Sequence, residues 1–179
     1  SVPLEKVGEW LAVEHPLLFA RLDCDAVVTG RADSLHVTAD LTGRGNDDIE
    51  RRIELTGARL GSRLKLDRFR YVAEPSRLEL SGEVDFSSPP SIEGVAVFRD
   101  LEPAVLLADP DLVVVGDLNG AVRFAGVGLT RATFRGNVDV HIDGATAFGL
   151  PFGAGTLSGT LDRGMLDVDR ARFTVGGSE

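Results

Sequence analysis

The sequence is poor in the residues that build disulfides, metal sites and many catalytic sites. Its 179 residues include one cysteine, one tryptophan, one tyrosine, one methionine and three histidines. The lone cysteine, Cys24, excludes an intrachain disulfide, and we expect it to be a small buried apolar residue. His15, His36 and His141 share no metal-ligand spacing, so the sequence predicts neither a metal site nor a cofactor.

Basic residues are also outnumbered by acidic ones. The chain has 19 Lys and Arg and 28 Asp and Glu, which gives a net charge of −9. Nucleic-acid binding needs lysine and arginine to neutralise phosphates, so this balance argues against a nucleic-acid partner. The same balance disfavours adsorption to anionic lipid headgroups. The content of hydrophobic residues, 43%, is nevertheless enough for a folded core.

Long apolar runs are missing as well. Residues 1–22 carry charges throughout, and no uninterrupted apolar stretch approaches the roughly 20 residues that a membrane-spanning helix needs. The N-terminus does not match a signal peptide either. The first residue is not Met, and we expect the chain to be an internal piece of a longer protein.

What the chain does have is a series of short segments in which apolar and polar residues alternate. The longest is 133–143, and similar alternation occurs over 35–41 and 78–86. Successive side chains of a strand point to opposite faces, so each segment would form a strand with one apolar side. Turn-forming residues at 74–77 and 162–165 predict tight reversals. Together these patterns predict a mostly β, largely antiparallel fold.

Two segments, 3–12 and 100–108, have the spacing of short helices, the second with Asp100 as its N-cap. Each begins a passage with similar spacing of glycines. We therefore predict two repeats, 1–94 and 95–179, joined by the Pro- and Ser-rich connector "SSPPSIEG" at 87–94. Repeats that stack would build one continuous apolar surface.

No pattern for catalysis is present. The glycines of "GRGNDD" and "GVGLTRATFRG" are not followed by the helix that a phosphate-binding loop needs. The sequence contains no G-x-S-x-G nucleophile motif. Its acidic pairs lie in predicted loops, without the fixed separation across a cleft that glycoside hydrolysis requires. We predict that the protein is not an enzyme.

The second half contains a series of short motifs, "DLNG" at 117–120, "GVG" at 126–128, "IDGATAFG" at 142–149 and "LDRGMLDVDRARF" at 161–173. In this order the motifs resemble repeats of the TamB and broader AsmA-like family of bacterial envelope proteins. The first half matches more loosely. The resemblance implies a β-taco, an elongated, curved, folded-over sheet with a hydrophobic interior groove. It also implies a periplasmic segment of a protein anchored in the inner membrane.

The resemblance further implies a non-enzymatic module that carries phospholipid between the inner and outer membranes, with the acyl chains in the groove. One alternative is a scaffold in outer-membrane protein assembly with an Omp85-type barrel partner, without lipid conduction. Another is a hydrolase acting on envelope glycans. If the groove binds lipid, the apolar sides of the alternating segments line it. These predicted lipid-binding residues are Leu35, Val37, Leu41, Leu78, Leu80, Val84, Phe86, Val122, Phe124, Phe134, Val138, Val140, Ile142, Leu157 and Leu161.

Overall fold

A computed structural model describes residues 21–31, 33–44, 48–102, 115–130, 132–147 and 150–175. The structural statements that follow concern these residues alone. The helix predicted over 3–12 lies outside them, and so does most of the helix predicted over 100–108.

This part of the chain forms one antiparallel sheet of ten strands, in which each strand pairs with its neighbours in sequence. The strands are β1 Arg21–Arg31, β2 Ser34–Arg44, β3 Glu50–Leu60, β4 Arg63–Ala73, β5 Ser76–Asp85, β6 Ser91–Leu101, β7 Val115–Val127, β8 Arg135–Ala147, β9 Leu150–Asp162 and β10 Met165–Val175. The described ranges contain no helix. The predicted mostly β, largely antiparallel fold is confirmed.

The register places the apolar residues of successive strands on one face of the sheet. Residues directly opposite each other in an antiparallel pair point to the same side. Leu80 of β5 lies opposite Phe69 and Ala96, and Phe124 of β7 lies opposite Gly94 and Val138. We call the side of the sheet that bears Leu80 and Phe124 the trough face, and the opposite side the outer face.

A bulge keeps β4 on the trough face although its sequence changes phase. Leu66 lies opposite Gly57 of β3, and the next residue, Asp67, has no cross-strand partner in that ladder. The extra residue shifts the alternation by one position. Phe69 and Tyr71 therefore point to the same side as Leu66, which strict alternation would forbid.

β10 contains a second bulge of the same kind. Val168 lies opposite Gly159, and Asp169 is the residue left without a partner in the ladder. The two bulges occur at the same place in two similar sequences, "LKLDRFRY" at 64–71 and "LDVDRARF" at 166–173. In both strands the bulge residue is the aspartate of an Asp-Arg pair that follows a trough-face aliphatic residue.

Burial on the trough face differs between the two ends of the strands. Tyr71, Ala73, Ser76 and Phe98 are 1%, 0%, 0% and 6% exposed, and they define what we call the closed end. At the opposite ends of the same strands, Leu64 is 43% exposed. We call this side, where β2, β4 and β6 begin, the open end.

Two expectations from the sequence, the connector and the helix N-cap at Asp100, are wrong where β6 lies. It runs Ser91–Leu101, so half of the predicted connector is strand and the predicted repeat boundary at 94/95 falls within it. Asp100 is not a helix N-cap but a bulge residue of β6 with φ 48°, and its amide donates to Asn119 Oδ1 at 3.0 Å. Aspartate tolerates the left-handed region better than most residues, which allows the strand to continue to the buried Leu101.

The expectation that Cys24 is buried is wrong, because Cys24 is exposed. It lies on β1, which pairs with β2 alone among the described strands. A residue on such an edge strand has neighbours on one side only, so a trough-face position there is not enclosed.

Both predicted tight turns are confirmed. Residues 74–75 join β4 to β5, and residues 163–164 join β9 to β10. Arg163 and Gly164 have φ values of 52° and 81°, as a two-residue type I′ hairpin requires.

The close approach of β7 and β8 gives a test of this register. Gly126 and Gly136 lie opposite each other, and a Cβ on Gly136 would lie 2.6 Å from Gly126 Cα and would also meet the Ala125 carbonyl oxygen. We expect Gly136→Ala to lower the free energy of unfolding by about 1–3 kcal/mol, because the backbone would have to move. Urea denaturation measures this loss. Asn137→Ala, on the outer face, is the control and should change stability by less than about 0.5 kcal/mol, so equal losses would contradict the register.

Candidate functional site

The trough face encloses a cavity of about 440 Å³. Its lining extends from Val37 on β2 to Phe124 on β7. In a flat sheet with strands about 4.8 Å apart these two strands would be about 24 Å from each other. Because one cavity reaches both, the trough face is concave.

A second cavity of about 360 Å³ lies beside the first and includes Phe134, Val138 and Leu161. Ile92 and Phe124 line both cavities. The two cavities are therefore adjacent, both on the trough face near the open end, and we call them together the trough. Each is within the range of about 300–1,000 Å³ that is usual for ligand pockets.

Phenylalanine rings lie over glycines on the floor of this trough. A Cβ on Gly94 would lie 2.7 Å from Phe124 Cζ, and a Cβ on Gly126 would lie 2.8 Å from Phe134 Cζ. Each ring thus covers the bare backbone of the neighbouring strand, an arrangement known from other sheets as rescue of glycine by an aromatic residue. Both phenylalanines also line the cavities, so open space remains next to their rings.

Eight of the fifteen predicted lipid-binding residues line the two cavities. They are Leu35, Val37, Leu80, Val84, Phe124, Phe134, Val138 and Leu161. Six more share the trough face by register and lie further toward the closed end. These are Leu41, Leu78, Val122, Val140, Ile142 and Leu157. The last, Phe86, follows the final residue of β5, is 55% exposed and lines neither cavity.

The sequence reasoning missed four large aliphatic residues that line the larger cavity, namely Leu55, Leu64, Leu66 and Ile92. Leu55 belongs to an alternating stretch of β3 that period-2 spacing could have identified. Leu64 and Leu66 precede the bulge in β4, where the change of phase hides the pattern. Ile92 lies in the predicted connector.

The outer face carries a ladder of ion pairs across β2 to β5. Arg52 Nη2 lies 2.6 Å from Asp40 Oδ2 and Arg52 Nε lies 3.3 Å from Glu54 Oε1, while Arg70 bridges Glu54 and Glu79 at 3.7 and 3.5 Å. The hydrogen bond to Asp40 raises the pKa of Arg52 above its usual value. Because these pairs are exposed to solvent, each contributes little to stability. Their main effect is a charged outer face opposite an apolar trough.

Polar contacts around Asp85 tie two turns together at the open end. Its Oδ1 accepts hydrogen bonds from the Ser87 amide at 2.9 Å and from Ser62 Oγ at 3.1 Å, and Arg63 Nε lies 3.3 Å from Oδ2. The Ser87 hydroxyl also donates to this carboxylate. These bonds, the Ser87 hydroxyl first, lower the pKa of Asp85 to about 2. The turn between β3 and β4 is thereby fixed to the loop after β5.

Two kinds of feature are absent from the described ranges. No group of three or more His, Cys, Asp or Glu side chains there could hold a metal ion. Nor does any helix in those ranges have the length and apolar character to cross a membrane.

No protein-family model, curated protein or solved structure matches this chain. The resemblance to the TamB and AsmA-like family therefore remains a prediction from the sequence. The trough is the feature of the described residues that bears most directly on function.

A charge placed in the trough distinguishes an open groove from a sealed core. Val138 lines the smaller cavity and is partly exposed, so an aspartate there can stay hydrated. We expect Val138→Asp to lower the free energy of unfolding by only about 1–2 kcal/mol in thermal or urea unfolding. Phe98→Asp, on the same face but 6% exposed, should prevent folding, because a buried unpaired charge has no compensating partner.

Asp139→Val, the reciprocal change on the outer face, is the control and should leave stability nearly unchanged. If Val138→Asp unfolded the protein as Phe98→Asp does, the trough would be a sealed core.

Proposed function

We propose that this chain is a non-enzymatic module of an envelope protein whose apolar trough holds and passes the acyl chains of phospholipids. The proposal places it in the periplasm, in a parent protein anchored in the inner membrane, with transfer between the inner and outer membranes. The observation that carries the proposal is the continuous concave apolar face, with its two adjoining cavities, opposite a charged outer face.

The energetics of the trough suit passage better than tight binding. Burial of an acyl chain contributes about 0.8 kcal/mol for each CH₂ group. Most of the lining residues are aliphatic or phenylalanine, and three of the charged ones, Lys65, Glu83 and Glu93, hold outer-face positions in the register. Neighbouring positions across the strands therefore offer an acyl chain similar burial. A chain that gains about the same free energy at each position can move from one to the next without a deep trap.

In this proposal the trough continues through repeated units of the β-taco type. Similar sequences carry the same bulge in β4 and β10, and Gly57 and Gly159 lie opposite the equivalent residues Leu66 and Val168. These matches support a repeated hairpin that occurs as β3–β4 and again as β9–β10.

A scaffold in outer-membrane protein assembly is the second candidate, with an Omp85-type barrel as the partner of the parent protein. The feature that favours it is the pair of sheet edges. Among the described strands β1 and β10 each pair on one side only. Unpaired strand edges are templates for a strand from another protein.

Native mass spectrometry of the chain purified from bacterial cells without detergent tests the proposal. We expect adducts with the masses of phospholipids on the wild-type chain. The double variant Phe124→Asp/Val138→Asp should lose most of them, because two charges interrupt the trough lining. The control Arg123→Asp/Asp139→Arg, in which two neighbouring outer-face residues are changed, should keep them.

A wild-type chain without lipid would contradict lipid binding and leave the scaffold as the better account. Adducts that persist in the Phe124→Asp/Val138→Asp variant would place the lipid elsewhere on the protein.

A further inference from the structure

Charged side chains are almost absent from the trough face, and the two exceptions are both arginines of β3. At the strand positions of the described ranges whose register fixes them on this face, only Arg51 and Arg59 are charged. Arg51 is 1% exposed at the closed end. Arg59 is exposed at the open end and lines the larger cavity.

Apolar side chains flank Arg59. It lies opposite Leu35 on β2 and Leu64 on β4, and both leucines line the same cavity. Its Nε–H donates to the carbonyl oxygen of Gly61 at 3.2 Å, which holds the side chain at the turn after β3. The guanidinium is therefore positioned at the edge of an apolar space.

No carboxylate of the described residues forms an ion pair with Arg59, in contrast to the arginines that make the outer-face ladder. Arg52 and Arg70 each lie within 4 Å of two carboxylates. Arg63, in the strand that follows the turn, lies 3.6 Å from Glu83 and 3.3 Å from Asp85. The terminal amino groups of Arg59 are thus available for an anion.

The fold does not require a cation at this position. Arg59 is the second residue after Gly57, and the second residue after the equivalent Gly159 is Leu161. Leu161 points to the trough face like Arg59 and lines the smaller cavity. Because an aliphatic residue serves at the equivalent site, the charge of Arg59 needs an explanation other than stability.

We propose that Arg59 binds the anionic head, a phosphate or a carboxylate, of an amphiphile whose acyl chain lies in the adjoining trough. The inference rests on the proposed function, since it assigns the polar end of the same ligand. The guanidinium presents a planar fork of N–H donors that matches either anion in a bidentate contact. With a net charge of −9 the whole surface does not attract anions, so recognition has to come from this local site.

Calorimetric titration with three single-chain amphiphiles below their micellar concentrations tests the assignment. Dodecyl phosphate, laurate and dodecyl maltoside share the chain length and differ in the head, which is a phosphate, a carboxylate or an uncharged sugar. We expect Arg59→Gln to weaken binding of the two anions by at least about tenfold, as expected for the loss of a charge-assisted hydrogen bond. Dodecyl maltoside should bind equally to both proteins.

Two further variants separate charge from structure. Arg59→Lys keeps the charge but loses the planar fork, so it should bind the anions more weakly than the wild type and more tightly than Arg59→Gln. Arg77→Gln removes an arginine that is exposed on the outer face and likewise has no ion pair with a described residue, so it should have no effect. A larger loss for dodecyl phosphate than for laurate assigns a phosphate ester as the natural head, and the reverse assigns a carboxylic acid.

Equal weakening of all three ligands by Arg59→Gln, or no weakening of any, would overturn the role of Arg59 while the trough still binds acyl chains. Failure of the wild-type chain to bind any of the three would overturn the proposed function together with this inference.

Discussion

The constraint on which the rest of the structure depends is the in-register pairing of the strands with one apolar face. In a meander of ten strands a shift of one residue at any ladder would move the apolar side chains of the following strands to the wrong side. The ion-pair ladder of the outer face and the facing glycines of β7 and β8 both favour the observed register. The trough forms because every pair of neighbouring strands keeps the register that places apolar side chains on the same face.

Glycine gives this face its depth. A sheet whose inner positions all carried large side chains would fill its own concavity. Gly94 and Gly126 instead leave room for the rings of Phe124 and Phe134 to lie over the backbone of the next strand. The same glycines bring neighbouring backbones close together, so an added methyl group meets main-chain atoms. The absence of side chains at these glycines thus accounts both for the space in the trough and for the close approach of the strands.

Sequence reasoning predicted the strands whose alternation is unbroken and missed those where it is not. Residues 35–41, 78–85 and 135–143 lie in β2, β5 and β8, with their apolar residues on one face as predicted. The apolar face of β4 was not predicted because the bulge residue Asp67 interrupts the alternation of apolar and polar residues between Leu66 and Phe69. Arg59 was not predicted as a trough residue because the alternation pattern treats a charged residue in a strand as facing solvent. Such features depend on pairing, which a single segment does not encode.

The central claim is that alternate residues of one strand divide between an acyl-chain-binding face and a solvent face. Photocrosslinking in cells tests it most directly, with a photoreactive phenylalanine analogue in place of Phe124, Leu80, Arg123 or Ser81, one at a time. The account predicts phospholipid adducts at 124 and 80, and none at 123 and 81, which point to the outer face. Adducts of equal yield at all four positions, or none at 124 and 80, would contradict it.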